Sequence, residues 1–367
     1  MQENRPSPGG FPGFAPVMTL VETLSTAFGP SGFEDEVRRR ILDAVHDLDV
    51  HTVVDVLGNL SVALNPGTDF TVMLDAHMDE VGLMISGVEP EGILRFALLG
   101  GWDPRVLPAH QVELRSTREQ VVMGVIGVTP PHLQSPEDQK KAYAVEHLAI
   151  DLGCSDSAEV ESLGIRMGAP GVLTAPFLRL HNGVVSGKAL DDRVGCALLV
   201  ALVRHFARFP VDFTLVANFS VKEEIGARGA ATAAYRIRPD LAFAVEGTTG
   251  DTPGVPPASQ SCFLGKGPAI TLADKTILVK PSLVEALSRE AQLLGIPFQY
   301  KRPLTGGTDA GPIHLSRAGV LTAVIGVPCR YLHSPVSAML EEDVFHTFRL
   351  LLRLVEQARS IGTLCAP

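Results

Sequence analysis

An excess of basic charge is the first thing this chain lacks: 31 Lys and Arg against 41 Asp and Glu leave a formal net charge of −10. Nucleic-acid binding needs lysines and arginines gathered on one face to displace counterions from phosphates, so no nucleic acid is expected as a partner. Long hydrophobic runs are missing too. The most apolar helical segment, VGCALLVALVRHFARF, is interrupted by Arg204 and His205, short of the roughly 20 apolar residues that span a bilayer, and no membrane association is expected. Cysteine is sparse. Cys154, Cys196, Cys262, Cys329 and Cys365 are scattered, odd in number and form no CxxC pair, which speaks for buried, reduced thiols rather than a disulfide framework. The amino terminus, MQENRPSPGGFPGFAPV, has neither the basic start nor the continuous apolar stretch of a secretion signal. Residues 1–16 therefore read as a loose tail, and the expected location is cytoplasmic. Familiar catalytic signatures are absent as well: there is no HExxH helix and no GxSxG elbow. NGVVSGKA has Asn182 where a phosphate loop needs Gly and Ala189 where it needs Ser or Thr.

What is present is enough apolar residue, 46% of 367 against 20% charged, to bury a large core and more than one domain. FEDEVRRRILDAVHDL, residues 33–48, carries Val37, Ile41, Leu42 and Ala44 on one side at the helical period. HTVVDVLGNLSVALN reads as a β pair around Gly-Asn, and FTVMLDAH as a short buried strand. From about 82 to 174 the texture changes to short strands broken by Gly and Pro, a small β-rich module. The chain then alternates: helix 192–207, strand 212–221, helix 227–236, strand 240–246, helix 281–294, strand 296–301, helix 309–317, strand 319–327, and a final helix over 341–359. Such alternation predicts an α/β protein, residues 17–81 and 175–367, whose sheet is covered by helices on both faces and into which 82–174 is inserted.

Sites in open α/β sheets gather beyond the carboxyl ends of strands, so the residues following each apolar run matter most. These are His77 and Asp79 after TVMLDA, Glu223 and Glu224 after FTLVANFSV, Glu246 after LAFAV, and His333 after VLTAVIGVPCRYL; GKALDDRVG adds Asp191 and Asp192 in a turn before a helix. Singly, each has a plainer explanation: a core histidine, a helix cap, a solvated strand end. Together, carboxylates and imidazoles converging on one crevice require a cation to neutralise them. Oxygen and nitrogen donors without thiolate suit zinc, cobalt or manganese, and two histidines with three or four carboxylates suffice for two metals sharing a bridging carboxylate. In AHMDE an extended chain points His77 and Asp79 the same way, so Asp79 would accept the second ring N–H of His77 and orient it. Glu223 and Glu224 would point oppositely, one ligating and the other free to act as a general base on water. GGTDAG, with Gly307 and Asp309, reads equally as a tight turn with a cap or as backbone lining a substrate pocket.

AHMDEVGLMI, GKALDDRVG, KEEIGARGA, GDTPG, GKGPAI and GGTDAGPIHLSRAGVLTAVIGVPCRYLHSP, in that order, resemble the M42 metallo-aminopeptidases, the tetrahedral aminopeptidase and glutamyl aminopeptidase group. The resemblance runs from about residue 17 to the end. It implies a catalytic α/β domain with an inserted PDZ-like β-barrel dimerisation domain, two divalent metals per subunit, zinc or cobalt, and dimers assembled into a hollow tetrahedral dodecamer acting on peptides. It further implies His77, Asp191, Glu224, Glu246 and His333 as ligands with Asp191 bridging, Glu223 as the base, and a cis peptide between Asp191 and Asp192. One departure is Glu246, where many relatives carry Asp. Two rival readings are a glycoside hydrolase using paired carboxyl groups, and a non-catalytic metal-binding assembly protein.

Overall fold

In the computed structural model, which describes residues 15–302 and 306–365, the continuous apolar runs form the middle of one large sheet. The chain opens with α1 (Ala15–Ser25) and α2 (Asp35–Val45), followed by β1 (His51–Val54), β2 (Leu60–Leu64) and β3 (Thr71–His77). Six strands come next: β4 (Gly82–Val88), β5 (Leu94–Leu99), β6 (Gln111–Arg115), β7 (Val121–Ile126), β8 (Ile150–Asp151) and β9 (Pro170–Leu173), with a short α3 (Ser157–Ser162) before β9. The chain continues through β10 (Leu178–Arg179), β11 (Val184–Gly187), α4 (Leu190–Phe206), β12 (Thr214–Ser220), α5 (Arg228–Ile237), β13 (Leu241–Thr249) and β14 (Ala269–Thr271). It ends with α6 (Pro281–Leu293), β15 (Gln299–Lys301), α7 (Ala310–His314), β16 (Leu321–Arg330), β17 (Ser337–Leu340), α8 (Glu341–Glu356) and α9 (Ala358–Cys365).

The main sheet has 11 strands in the order β1-β2-β12-β3-β13-β16-β17-β11-β10, with β14 and β15 branching from β16. Its centre, β12-β3-β13-β16, is parallel, and antiparallel strands flank it. Parallel strands need crossover helices, and these bury both faces. Alternation along β3 shows how: Val72, Leu74 and Ala76 join the large core with α4 residues such as Leu198, whereas Met73 joins Ala230, Ala233 and Ile313 beneath α5 and α7. The six strands from Gly82 to Leu173 close into a separate barrel, β4-β5-β8-β7-β6-β9, around its own core of Leu83, Leu94, Val112, Leu114, Ile126 and Ile150.

Three local expectations change. The final helix is not continuous: Gln357, at φ −100 and ψ 7, leaves the helical region and separates α8 from α9. The helix expected at 309–317 spans only Ala310–His314. An early helix, α1, occupies part of what read as unstructured sequence, while residues 1–14 of the expected tail lie outside the described residues. Among the described residues, no helix is long and apolar enough to cross a membrane.

Candidate metal centre

Strand register brings the site together. His77 closes β3 opposite Ser220, the last residue of β12, and Ala244 of β13 pairs with Asp75, so two residues further on the same parallel register sets Glu246 beside His77. Beyond Ser220 the chain turns sharply, with Lys222 in the left-handed region at φ 60. Four successive backbone N–H groups then meet side-chain acceptors. Val221 donates to Asn59 Oδ1 at 3.0 Å, Lys222 to Glu34 Oε1 at 3.1 Å, Glu223 to Asp79 Oδ1 at 2.9 Å and Glu224 to Asp79 Oδ2 at 3.1 Å. Each amide that leaves the sheet is thus satisfied without water, and the adjacent glutamates are held by their backbone rather than their side chains.

The Asp191-Asp192 peptide at the start of α4 is cis. Behind it, fully buried Arg193 donates to the carbonyls of Leu24, Ala27, Gly29 and Met78 and to Glu80, and Lys188 Nζ reaches Glu80 Oε1 at 2.6 Å. These bonds tie the turn to the α1–α2 loop and the end of β3.

The Asp191 carboxylate lies between two imidazoles. His77 Nε2 is 3.4 Å from Asp191 Oδ1 and 3.6 Å from Glu246 Oε2, while His333 Nε2 is 3.8 Å from Asp191 Oδ2 and 3.3 Å from Glu224 Oε2. A tetrahedral cation with ligand bonds of about 2.0–2.2 Å has edges of about 3.3–3.6 Å between its ligands, and these separations cluster around that range. Buried Asp191 Oδ1 has no hydrogen-bond partner, which is costly unless a cation meets it. Asp192 also approaches His77 and Glu246, but its oxygens already accept the His77 N–H at 3.3 Å and the Gly195 N–H at 3.1 Å. Gly247 leaves the bridging position open: a Cβ there would lie 2.8 Å from Asp191 Cβ and 2.9 Å from its Cα.

Crowding shows in the acid–base behaviour. Burial first, then neighbouring carboxylates including Asp191, hold Glu224 and Glu246 well above the ordinary glutamate value, and burial pushes Glu223 up to about 8. His77 goes well above the usual imidazole value because the Asp191 and Asp79 carboxylates outweigh the effect of burial. Asp79 is the exception. Burial opposes its charge, but His77, Ser31 and the Glu223 amide together keep it below the usual aspartate value. Such a donor set binds protons when no metal is present and suits divalent cations when one is.

Glu223 lines the same cavity, of about 1060 Å³, as the five candidate ligands, and Gly307 lines it too. Two expectations need correcting. Asp309 does not face the cavity: it is 1% exposed, its carboxylate accepts the Ser220 hydroxyl at 2.5 Å, and its own N–H points at Glu246 Oε1 at 3.4 Å. As for Asp79, its backbone oxygen lies 3.1 Å from His77 Nδ1, closer than its carboxylate at 3.5 Å, and the carboxylate chiefly holds the two glutamate amides and Ser31. β3 ends at His77, and beyond it the chain runs alongside the α1–α2 loop, where Glu80 bridges Pro30. Sequence reasoning missed Glu34, Asn59 and Gly101. The carbonyl of Gly101, just past β5 of the barrel, lies 2.8 Å from His333 Nδ1 and so orients that ring.

Known proteins resemble this chain in sequence and in fold. The family model described as M42 glutamyl aminopeptidase matches residues 58–350. The lysyl aminopeptidase of Pyrococcus furiosus is 32% identical over 348 residues, 93% of this chain and 97% of that protein. The crystal structure of a TET aminopeptidase from a marine sediment Thaumarchaeota archaeon superposes with a TM-score of 0.90 at 34% identity, over 95% of this chain and 98% of that one. The Pyrococcus horikoshii TET1 peptidase, described as assembling into a tetrahedron or a large octahedral shell, gives 0.83 at 31% identity, over 92% and 98%. With the family model matching residues 58–350 and likeness over more than nine-tenths of the chain in sequence and fold, this chain belongs to the M42 peptidase family.

Proposed function

We propose that the protein is an aminopeptidase working with two divalent metal ions, zinc or cobalt, and that Glu223 is its general base. The observation that supports this best is the Asp191 carboxylate, whose two oxygens each face a different histidine, His77 with Glu246 on one side and His333 with Glu224 on the other. Cations bound there would supply Lewis acidity, polarising a peptide carbonyl and acidifying water. Glu223, buried beside the ligands yet bordering the cavity, takes the proton of the attacking water and returns it to the departing amine. The acidic end of the cavity draws in an α-ammonium, which favours removal of the first residue over internal cleavage. Glu246 takes the ligand place that Asp holds in many relatives, its longer arm reaching His77 from β13.

Assembly is part of the proposal. Alternation along β7 turns Val122 and Ile126 toward the barrel and leaves Val121, Met123 and Val125 on the outside, 51%, 47% and 46% exposed. An apolar stripe of this kind suits burial against another subunit, consistent with a PDZ-like barrel that pairs subunits as the building unit of a dodecamer. All five cysteines are free, which supports a reducing, cytoplasmic compartment.

Chelation followed by restoration with zinc or cobalt, read on a panel of amino-acid p-nitroanilides, tests the reading together with Glu223→Gln. The expected result is turnover that disappears with the metal and returns with it, and a variant that keeps its metal content but loses activity by about three orders of magnitude, in the range of general-base contributions. Chelator-resistant cleavage of a β-glucan, or metal-loaded protein that turns over no p-nitroanilide, would contradict it.

A further inference from the structure

Each of the two imidazoles is held through its Nδ1 by a backbone carbonyl, and the two carbonyls come from different parts of the chain. His77 Nδ1 lies 3.1 Å from the oxygen of Asp79, just past β3 of the main sheet, whereas His333 Nδ1 lies 2.8 Å from the oxygen of Gly101, just past β5 of the barrel. A carbonyl only accepts, so each Nδ1 carries the proton and each Nε2 keeps its lone pair for the carboxylate side. His77 is 1% exposed at the end of a central strand. His333 stands in a loop, at φ 55 with Tyr331 at φ 56, and its side chain is 32% exposed.

The barrel loop is shaped to reach that ring. Gly100, at φ 86, passes where a Cβ would lie 2.7 Å from Val81 Cγ1 and 3.3 Å from Glu224 Cβ, and a Cβ on Gly101 would lie 3.2 Å from His333 Nδ1. Two glycines thus bring backbone against Glu224 and His333, the candidate ligands that face each other at 3.3 Å on one side of Asp191. Trp102 fixes the loop from behind: its indole N–H donates to the Gly82 carbonyl at 2.9 Å, and its ring packs on the barrel core. Gly82 in turn is where the barrel meets the rest of the chain, since a Cβ there would lie 2.4 Å from Pro30 Cβ in the α1–α2 loop.

We propose that the inserted barrel completes the metal centre of its own chain, with Gly101 and Trp102 as positioning residues for the metal place that His333 and Glu224 share. The inference rests on the two-metal reading above and adds which part of the chain governs each place. Strand register in the main sheet sets His77 and Glu246 side by side without help from the barrel. The other place depends on a loop carried by a second hydrophobic core, so a small shift of that loop withdraws the Gly101 carbonyl and releases the His333 ring. A bond that orients a ligating histidine is worth about 10- to 100-fold in metal affinity, and here that factor falls on one metal and spares the other.

The test titrates zinc into the metal-stripped, full-length protein by calorimetry, and anomalous diffraction from crystals grown at limiting zinc identifies which place is filled. Wild type is expected to bind two zinc ions per chain. Trp102→Phe removes the indole donor but keeps a ring on the barrel core, and Gly101→Ala, outside the left-handed region, presses a Cβ on the His333 ring. Each is expected to weaken one zinc by about 10- to 100-fold while the other keeps its affinity, and to dim the anomalous peak beside His333 and Glu224. Val112→Ala, in the barrel core on β6, is expected to lower Tm and leave both affinities as in wild type, which separates positioning from a general loss of barrel stability. If Trp102→Phe does not fold, Gly101→Ala carries the test. Unchanged affinities in either folded loop variant, equal weakening of both zinc ions, selective loss beside His77, or the same selective loss in Val112→Ala overturns the assignment to the loop while leaving the aminopeptidase reading intact. A wild type that binds fewer than two zinc ions overturns both this assignment and the two-metal reading.

Discussion

Replacing Asp79 with asparagine perturbs the site without replacing a candidate ligand. The carboxylate accepts the Glu223 N–H at 2.9 Å on Oδ1, and the Glu224 N–H at 3.1 Å with the Ser31 hydroxyl at 2.5 Å on Oδ2. An amide has one oxygen and one NH₂ in the same places. If the NH₂ replaces Oδ1, it confronts the Glu223 N–H; if it replaces Oδ2, Ser31 can reverse its hydroxyl, but the Glu224 N–H still meets a donor. Either orientation leaves one half-buried backbone N–H without a partner. Bonds to charged acceptors contribute about 1.5–3 kcal/mol, and with about 2 kcal/mol expressed in the position of the Glu223 carboxylate, the rate falls about 30-fold. His77 retains the Asp79 backbone oxygen at 3.1 Å, so metal stoichiometry stays as in wild type. Steady-state kinetics on the best p-nitroanilide, paired with metal analysis, provides the assay: kcat down by about 10- to 30-fold, with KM changed by less than about threefold. A kcat within about twofold of wild type would refute the claim that Asp79 positions the glutamate pair.

Other consequences follow from the same geometry. Gly247→Ala forces a Cβ against Asp191 Cα and Cβ, an overpacking cost of about 1–3 kcal/mol; metal affinity measured by calorimetry should fall about 5- to 150-fold, and unchanged affinity would show that the bridging carboxylate has room to move. Met123→Glu combined with Val125→Glu, both on the outer face of β7, should lower the mass seen by light scattering while the circular dichroism spectrum persists; an unchanged particle would place the subunit contact elsewhere. Glu223, pushed by burial to about 8 from an ordinary value of 4.5, keeps a proton in the metal-free folded state that it loses on unfolding. Metal-free protein should therefore lose stability as pH rises from about 5 to 8, and saturating metal should flatten the dependence. A calorimetric Tm that climbs over that interval without metal would contradict this assignment of the proton.

Much of the site was legible because parallel strands bury both faces, so their apolar runs end abruptly at the residues that emerge beyond the sheet. His77 closes β3 and Glu223 and Glu224 follow β12, whereas Glu246 ends the apolar run but lies inside β13, which continues to Thr249. Glu34 was hidden for a physical reason: it occupies the position before α2, where an acid reads as a helix cap, yet it makes no capping bond and instead accepts the amides of Gly32 and Lys222. Burial and the Asp79 charge push it up to about 7. Gly101 acts through its carbonyl, which leaves no mark on residue type. Asp309 misled because a Gly-rich turn shows where the backbone bends and says nothing of which way the acid turns. The break at Gln357 escaped because the apolar period continues across it from Leu354 and Val355 to Ala358 and Ile361, all buried.

Anomalous diffraction from crystals grown with zinc offers the most direct measurement. The account predicts two peaks flanking the Asp191 carboxylate, one shared with His77 and Glu246 and the other with His333 and Glu224. A single peak, or peaks that leave Asp191 uncoordinated, would contradict it.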